Sequence, residues 1–574
     1  MKRFLAIALA LALCLALFAG CNNDTGSNNQ SSNQSNSQNS NQNESSNNNQ
    51  SSDTPAKPKM ITYAVDYDIT SMDPQISGDS AAATVILMTN EGLLREKGGE
   101  IVPGIAETWE VSEDGLTYTF HLRKSTWNDG TPLTAHDFVY SYRRMLDPAA
   151  PTNYIENGYV LKNGQEFSSG QCSAEELGVE APDDYTLVLT LSKRDNTHLY
   201  NLSRTTCWLP INEAADKAAG GVGYYGSDKD KLLTNGPFNL TDWSREASVT
   251  MEKNPAYWNA GEIKLDICKG IVGASGAAGV DMMLAGELDF MTTNVRTESS
   301  QLRDAGFNVE AYTGAYRYLY FNGNPGEKTQ AGFCMANSHF RRAINYVINR
   351  NALAQVVSLD CEPSYRVIMP SEPGVGGKTI NEMYPREYWN LDGDIEKAKA
   401  ELDIALQELG LSSPADVPPL YLLCYDSQDS TMVLQAYQDM LKTGLGIEST
   451  VNPQAIQQMR ELWHTGYWDV FVMDWGFRAP NWGQRADNWY RSDGRSYNDN
   501  GYVNAAFDAK KDEFDNAVSE EEAIRLLVEL EEIFCEDAAS AIVAWTQYSV
   551  CHTDRIKGIL LSTYADFTFA DVVD

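Results

Sequence analysis

The side chains best able to bind metal or move protons are six histidines, His121, His136, His198, His339, His464 and His552, scattered along the chain with no HExxH or comparable ligand spacing. "GVGYYG", residues 221–226, fits GxGxxG by letter. It follows the helix-like "NEAADKAAG" and runs into polar "SDKDK", so the strand before and apolar helix after that a dinucleotide site needs are missing, and it reads as a flexible surface turn. "GASGA", residues 273–277, misses the nucleophile elbow GxSxG by one place, and "NDNG", residues 498–501, lacks the spaced acids of a calcium loop. Carboxylate pairs abound, but none stands apart in so acidic a chain. These patterns point away from an enzyme, and they call for neither a metal nor a cofactor.

Thiols are the remaining reactive class. Cys172, Cys207, Cys268, Cys334, Cys361, Cys424, Cys535 and Cys551 include no CxxC pair. An even number outside the cell permits disulfides of undeducible connectivity, and an anaerobic setting would equally leave eight buried thiols.

Cys21 differs in its setting. Met1-Lys2-Arg3 precedes an apolar run from Phe4 to Gly20, a charged region, hydrophobic region and small residues in the order of a cleaved export signal. Ala19-Gly20-Cys21, with Phe18 where an aliphatic residue is usual, resembles a bacterial lipobox, which implies cleavage before Cys21 and a lipid on its sulfur. An ordinary signal peptide that happens to precede a cysteine is the plainer alternative. The following tract of Asn, Ser and Gln cannot bury enough surface to offset its ordering entropy. As a flexible coil of 37 residues from Asn22 to Pro58, it reaches about 30–35 Å. Segments 1–20 and 21–58 are therefore expected to be a signal peptide and a lipid-anchored tether, placing the protein outside the cytoplasm on the bacterial cell membrane.

The net charge of −35, or −37 without Lys2 and Arg3, disfavours nucleic acid as a partner. Some 515 residues beyond the tether exceed one hydrophobic core, so two or three lobes are expected.

Short strand-like runs alternate with amphipathic helices, which makes the class α/β. "TWEVSEDGLTYTFHLRK" holds two alternating runs joined at Asp114-Gly115, with Leu116, Tyr118, Phe120 and Leu122 on one face. "DDYTLVLTL" repeats the device with Tyr185, Leu187, Leu189 and Leu191. Ser338 is expected to cap a helix carrying Phe340, Ala343, Ile344, Val347 and Ile348. Asp394 is expected to cap another, with Leu402, Ala405, Leu406 and Leu409 as its stripe and Gly410 ending it.

"TWNDGTPLTAHDFVYSYRRMLDP", residues 126–148, resembles the signature region of the family 5 extracellular solute-binding proteins, best known as oligopeptide- and dipeptide-binding subunits of ABC importers. "TNGPFNLTDW", "KNPAYWN", "MLAGELDFMTTN", "FRRAINYVINRNAL" and "GYWDVFVMDWG" extend the likeness in collinear order over residues 60–574. The resemblance implies a periplasmic binding protein-like fold (type II, three-domain oligopeptide-binding variant), two lobes closing on a cleft. Projected onto this chain, domain I takes residues 60–103, 235–330 and 548–574, domain II 104–234, and domain III 331–547. It also implies a monomer that binds an oligopeptide by strand addition and delivers it to ABC permease subunits with a separate ATPase.

By position, the resemblance places Ser77, Gly78 and Asp79, then Tyr154, then Tyr318, Asn322 and Gly323, and the strand Asp474-Trp475-Gly476, at the ligand. Where relatives commonly read Trp-x-x-Asp, with the acid pairing the peptide ammonium, this chain has Trp475-Gly476-Phe477-Arg478. Asp474 or Asp487 would then take over, or Arg478 would face an anionic group of the ligand. A sugar oligomer or chelated metal as cargo, a surface hydrolase acting on cell-wall fragments, and a peptide-sensing receptor are the other readings.

Overall fold

The computed structural model describes residues 57–573 except 98–99, 150–151, 196–197, 324–327, 357–360, 371, 373, 477–502 and 562–564. Residues 57–574 form one compact unit, and residues 1–56 fall outside it. The expected signal, tether and Cys21 thus lie outside the described residues, as do Arg478, Asp487 and "NDNG". Among the described residues no helix is long and apolar enough to cross a membrane.

The local patterns build as their residues dictate. Strands Ala106–Val111 and Thr117–Leu122 pair antiparallel across the Asp114-Gly115 turn, where Gly115 takes φ +69° and Asp114 accepts from Leu116 N at 3.0 Å. Val179–Asp183 and Thr186–Thr190 form the second hairpin, and all four strands make one sheet. Its inner face buries Tyr118, Phe120, Leu122, Leu187, Leu189 and Leu191 against helix Ala135–Met145 and Trp208.

Helix Ile395–Leu409 starts at Asp394, which accepts from Lys397 N at 3.0 Å, and ends at Gly410 with φ +69°. The cap at Ser338 is one residue off: Asn337 accepts from Phe340 N at 3.0 Å, and Ser338 is the first residue of helix Ser338–Tyr346. Asn is as good an N-cap as Ser, so a one-residue shift costs nothing locally. "GVGYYG" is a turn as expected, yet a packed one: Tyr225 is buried, Met72 N donates to Gly226 O at 2.8 Å, and a Cβ on Gly226 would lie 2.3 Å from Asp73 N.

An eleven-stranded sheet organises the rest. Its first half holds three parallel strands, Met60–Val65, Ile267–Val272 and Phe290–Thr293, with the hairpin Phe238–Ser244 and Ser248–Lys253 at the edge. Its second half holds another parallel trio, Leu420–Tyr425, Ser449–Gln454 and Val470–Gly476. Two long antiparallel strands, Asn308–Phe321 and Ser540–His552, join the halves as a ribbon. Two irregularities in its pairing, between Thr313 and Ala315 and between Arg317 and Tyr318, mark bulges that raise local twist.

Separate cores flank the ribbon. One packs the first half around Ile61, Tyr63, Met251 and Phe567. Another lies beneath helices Ser338–Tyr346, Ile395–Leu409 and Gln428–Leu445, and a third packs Tyr316, Tyr318, Ile542 and Trp545 against helices Ala505–Asp515 and Glu520–Glu536.

Among the described residues the eight cysteines are thiols and not disulfides, six of them buried and Cys172 and Cys361 partly so. Burial pushes the Cys424 thiol up to about 11 and those of Cys334 and Cys551 to about 12, so they stay protonated and unreactive. Of the two states open to these residues, the fold takes the thiol.

Candidate functional site

The sheet topology sets where a ligand can be met. Thr293, at the carboxyl end of its strand, pairs with Ser549, and Gly476, at the carboxyl end of the other trio, pairs with Ala315, which pairs with Thr546. The two parallel trios therefore point their carboxyl ends at each other and converge on the ribbon between residues 546 and 549. In open α/β sheets this end of the strands is where ligands bind, because side chains and loops converge there without a further strand to cover them.

Groups from both halves meet at this crossing. Tyr548 has its hydroxyl pushed above the ordinary phenol value by burial and by the carboxylates of Asp474 and Asp66, with Asn294 hydrogen-bonding in opposition. Asp66, immediately after strand Met60–Val65, is itself raised by burial against a hydrogen bond from Ser275. Arg317 donates from Nε and Nη2 to the two carboxylate oxygens of Asp474 at 2.7 and 2.5 Å. Burial works to lower the Arg317 pKa, and Asp474 overrides it, so the guanidinium keeps its charge.

The loop carrying Ser77, Gly78 and Asp79 follows the same half. Asp79 caps helix Ser80–Thr89, accepting from Ala82 N at 2.7 Å. Tyr154 donates to Ser77 O at 2.7 Å, so its hydroxyl holds the loop, while Ser77 Oγ is buried without a partner among the described residues. Upstream, Arg144 grips Asp73 at 2.6 Å, Asp216 at 3.1 Å and Gln75 Oε1 at 2.8 Å. All four side chains are buried, so the loop's base is fixed by charge-assisted bonds in a low-dielectric setting.

The remaining expected residues divide. Tyr318 lies in the core, its ring stacked on Tyr320 at 4.8 Å, on the strand face opposite Arg317. Asn322 is buried, donating to Gly466 O at 3.1 Å and Trp468 O at 2.8 Å; next to it, Gly323 is partly exposed. Both Tyr318 and Asn322 serve lobe packing as placed. Trp475 and Gly476 continue the strand from Asp474, in register with Tyr316 and Ala315. Asp474 itself is charge-balanced by Arg317, so a free carboxylate awaiting an ammonium is not what stands there.

Sequence reading passed over Arg317, Asp66 and Tyr548. A guanidinium inside the apolar run "AYRYLYF" was the available signal, because a charge in a buried strand demands a partner.

An ion pair spans two of these cores. Lys193, just beyond the four-stranded sheet, places Nζ 2.9 Å from Asp515 Oδ2 at the end of helix Ala505–Asp515. Asp515 also accepts from Lys511 of its own helix.

The model of the bacterial extracellular solute-binding proteins, family 5, matches residues 100–497. The oligopeptide-binding protein OppA of Bacillus subtilis is 27% identical over 500 residues, spanning 86% of this chain and 88% of the relative. The dipeptide-binding protein DppE of the same organism is 27% identical over 517 residues, 88% and 90% of the two chains. Among solved structures, the substrate-binding domain of an oligopeptide ABC transporter from Bacillus anthracis superposes with a TM-score of 0.72 at 25% identity, covering 90% of this chain and 99% of that one.

Proposed function

Because this chain belongs to the bacterial extracellular solute-binding proteins of family 5, we propose that it captures oligopeptides outside the cell and hands them to an ABC permease, with no chemistry of its own. The observation that carries this reading is the convergence of two parallel-strand trios, from opposite halves of one sheet, on a two-stranded ribbon. The halves are joined through that ribbon, so hinge closure about it would enclose a ligand held at the strand ends. An extended peptide suits that place, since backbone groups from both sides can pair with it, and the names of the relatives point the same way.

On this reading the unit 57–574 acts as a monomer of three domains divided as the family likeness implies. Ser77–Asp79 and Asp474–Gly476 approach the ligand from opposite sides, and Tyr154 positions Ser77. Cys21 carries lipid, and the tract to Pro58 lets the receptor range over the membrane beside its permease. Replacing Cys21 by Ser should release the protein to the medium, and retention on the membrane would remove the anchor from this account.

Native mass spectrometry of the unit from residue 57 onward, followed by denaturing release of what co-purifies, tests the cargo. A ladder of short peptides supports the reading. A single non-peptide species, or a protein that no peptide mixture fills, overturns it in favour of another cargo.

A further inference from the structure

The ion pair at the crossing has valences still open. The Arg317 side chain is only 7% exposed, two of its nitrogens are spent on Asp474, and Nη1 is buried with no hydrogen-bond partner among the described residues. Thr546 stands beside it: Arg317 pairs with Ala544 and Ala315 with Thr546, so Thr546 is one diagonal step away on the same face. Its Oγ1 is also buried without a partner among the described residues. Asp474 is the open member, 39% exposed, with each oxygen accepting one guanidinium N–H and retaining a lone pair.

Donors thus lie toward Thr546 and acceptors toward Asp474, within a pair of zero net charge. A charged peptide terminus would add a third formal charge beside a balanced, largely desolvated pair, and would have to be met by Asp66 or Asp429, the other carboxylates acting at this crossing, because Asp474 is already neutralised by Arg317. The N–H and C=O of one residue in an extended strand bring no charge, point the same way, and satisfy an acceptor and a donor together. Leaving Nη1 and Oγ1 unpaired is what costs.

We propose, on the peptide reading above, that Arg317, Thr546 and Asp474 clamp the backbone of one internal ligand residue. Arg317 Nη1 and Thr546 Oγ1 donate to its carbonyl oxygen, and Asp474 accepts from its N–H. The receptor then selects peptides by an internal backbone unit and accepts those with a blocked N-terminus. Arg317 becomes a ligand-binding residue and Asp474 an amide acceptor instead of an ammonium receptor.

The test is isothermal titration of the full-length chain with tetraalanine, with N-acetyl-tetraalanine, and with tetraalanine analogues in which each amide in turn is an ester. Acetylation should change affinity less than about threefold, while one ester position weakens binding about tenfold. Arg317→Met should weaken tetraalanine about ten- to hundredfold. Thr546→Val, uncharged and close in shape, should weaken it about fivefold, which keeps the test open if Arg317→Met does not fold. Two results overturn the proposal while leaving peptide capture intact. One is wild-type affinity in both variants; the other is a strong preference for the free N-terminus that disappears in Asp474→Asn. Wild-type protein that binds no peptide overturns the peptide reading, and the clamp falls with it.

Discussion

Removing the Lys193 ammonium tests whether the cores on either side of the Lys193–Asp515 contact meet by closure. Asp515 is 13% exposed, and although burial pushes its carboxyl up, Lys511 and then Lys193 bring it down to about 2. Against its ordinary 3.8, that shift represents roughly 2.5 kcal/mol of stabilisation, present above the ordinary value and lost as pH falls toward 2. Lys511 sits on the same helix and is 2% exposed, so it keeps its share however the cores are arranged. Lys193 is 43% exposed, and a solvent-screened partner of that kind contributes about 0.5–1 kcal/mol. If the contact forms when the halves close on ligand, Lys193→Ala weakens ligand binding about two- to fivefold. Lys193→Glu weakens it further, by setting a like charge against Asp515. The assay is isothermal titration with tetraalanine at about 50 and about 500 mM salt, where screening shortens from about 14 Å to about 4 Å. Wild-type affinity should fall toward that of Lys193→Ala as salt rises, with the ligand-free melting temperature unchanged. A Lys193→Ala protein that binds as wild type but melts several degrees lower would refute the reasoning, because the ion pair would then join parts that never separate.

Asp469 is fully buried, and burial raises it to about 6 despite bonds from Thr329 and Tyr421 N. Its contribution is therefore greatest below the ordinary carboxylate value and is lost as pH rises toward 6. Asp469→Asn should remove about 2–3 kcal/mol of pH dependence between pH ~4 and ~7, read from urea melts of both proteins. Arg144→Met strands Asp73 and Asp216 in the interior and should cost about 3–5 kcal/mol. Adding Asp73→Asn should recover part of that loss, and a single-variant loss under about 1 kcal/mol in urea unfolding would contradict the buried network. Brief alkylation of the native protein, mapped by mass spectrometry, should modify Cys172 and Cys361 alone among the eight cysteines beyond residue 57. Modification of Cys207 or Cys268 under native conditions would show that those cores open.

Much of the local structure follows from residue type alone. The Asp114-Gly115 turn, the alternating faces of both hairpins and the Asp394-to-Gly410 helix need only nearest-neighbour sterics, capping and a period of 2 or 3.6. The family likeness was legible for a related reason, since its motifs are contiguous runs whose order survives in the chain. Cys21 and the polar tract, too, are statements of local composition.

The site was legible only in part. That Tyr154 reaches Ser77 O depends on segments 77 residues apart meeting. Tyr318 and Arg317 are adjacent in "YRYLYF", yet strand alternation sends the first into a core and the second to the crossing. Which face is which is set by the sheet the strand joins. The pairing of Arg317 with Asp474, 157 residues apart, and the convergence of two strand trios on one ribbon belong to register, which only the assembled sheet decides. Sequence determines what each segment can be, because backbone sterics and hydrophobic period act over a few residues. Tertiary structure decides which charges are balanced and which donors remain open, because those are properties of neighbours brought together from distant parts of the chain.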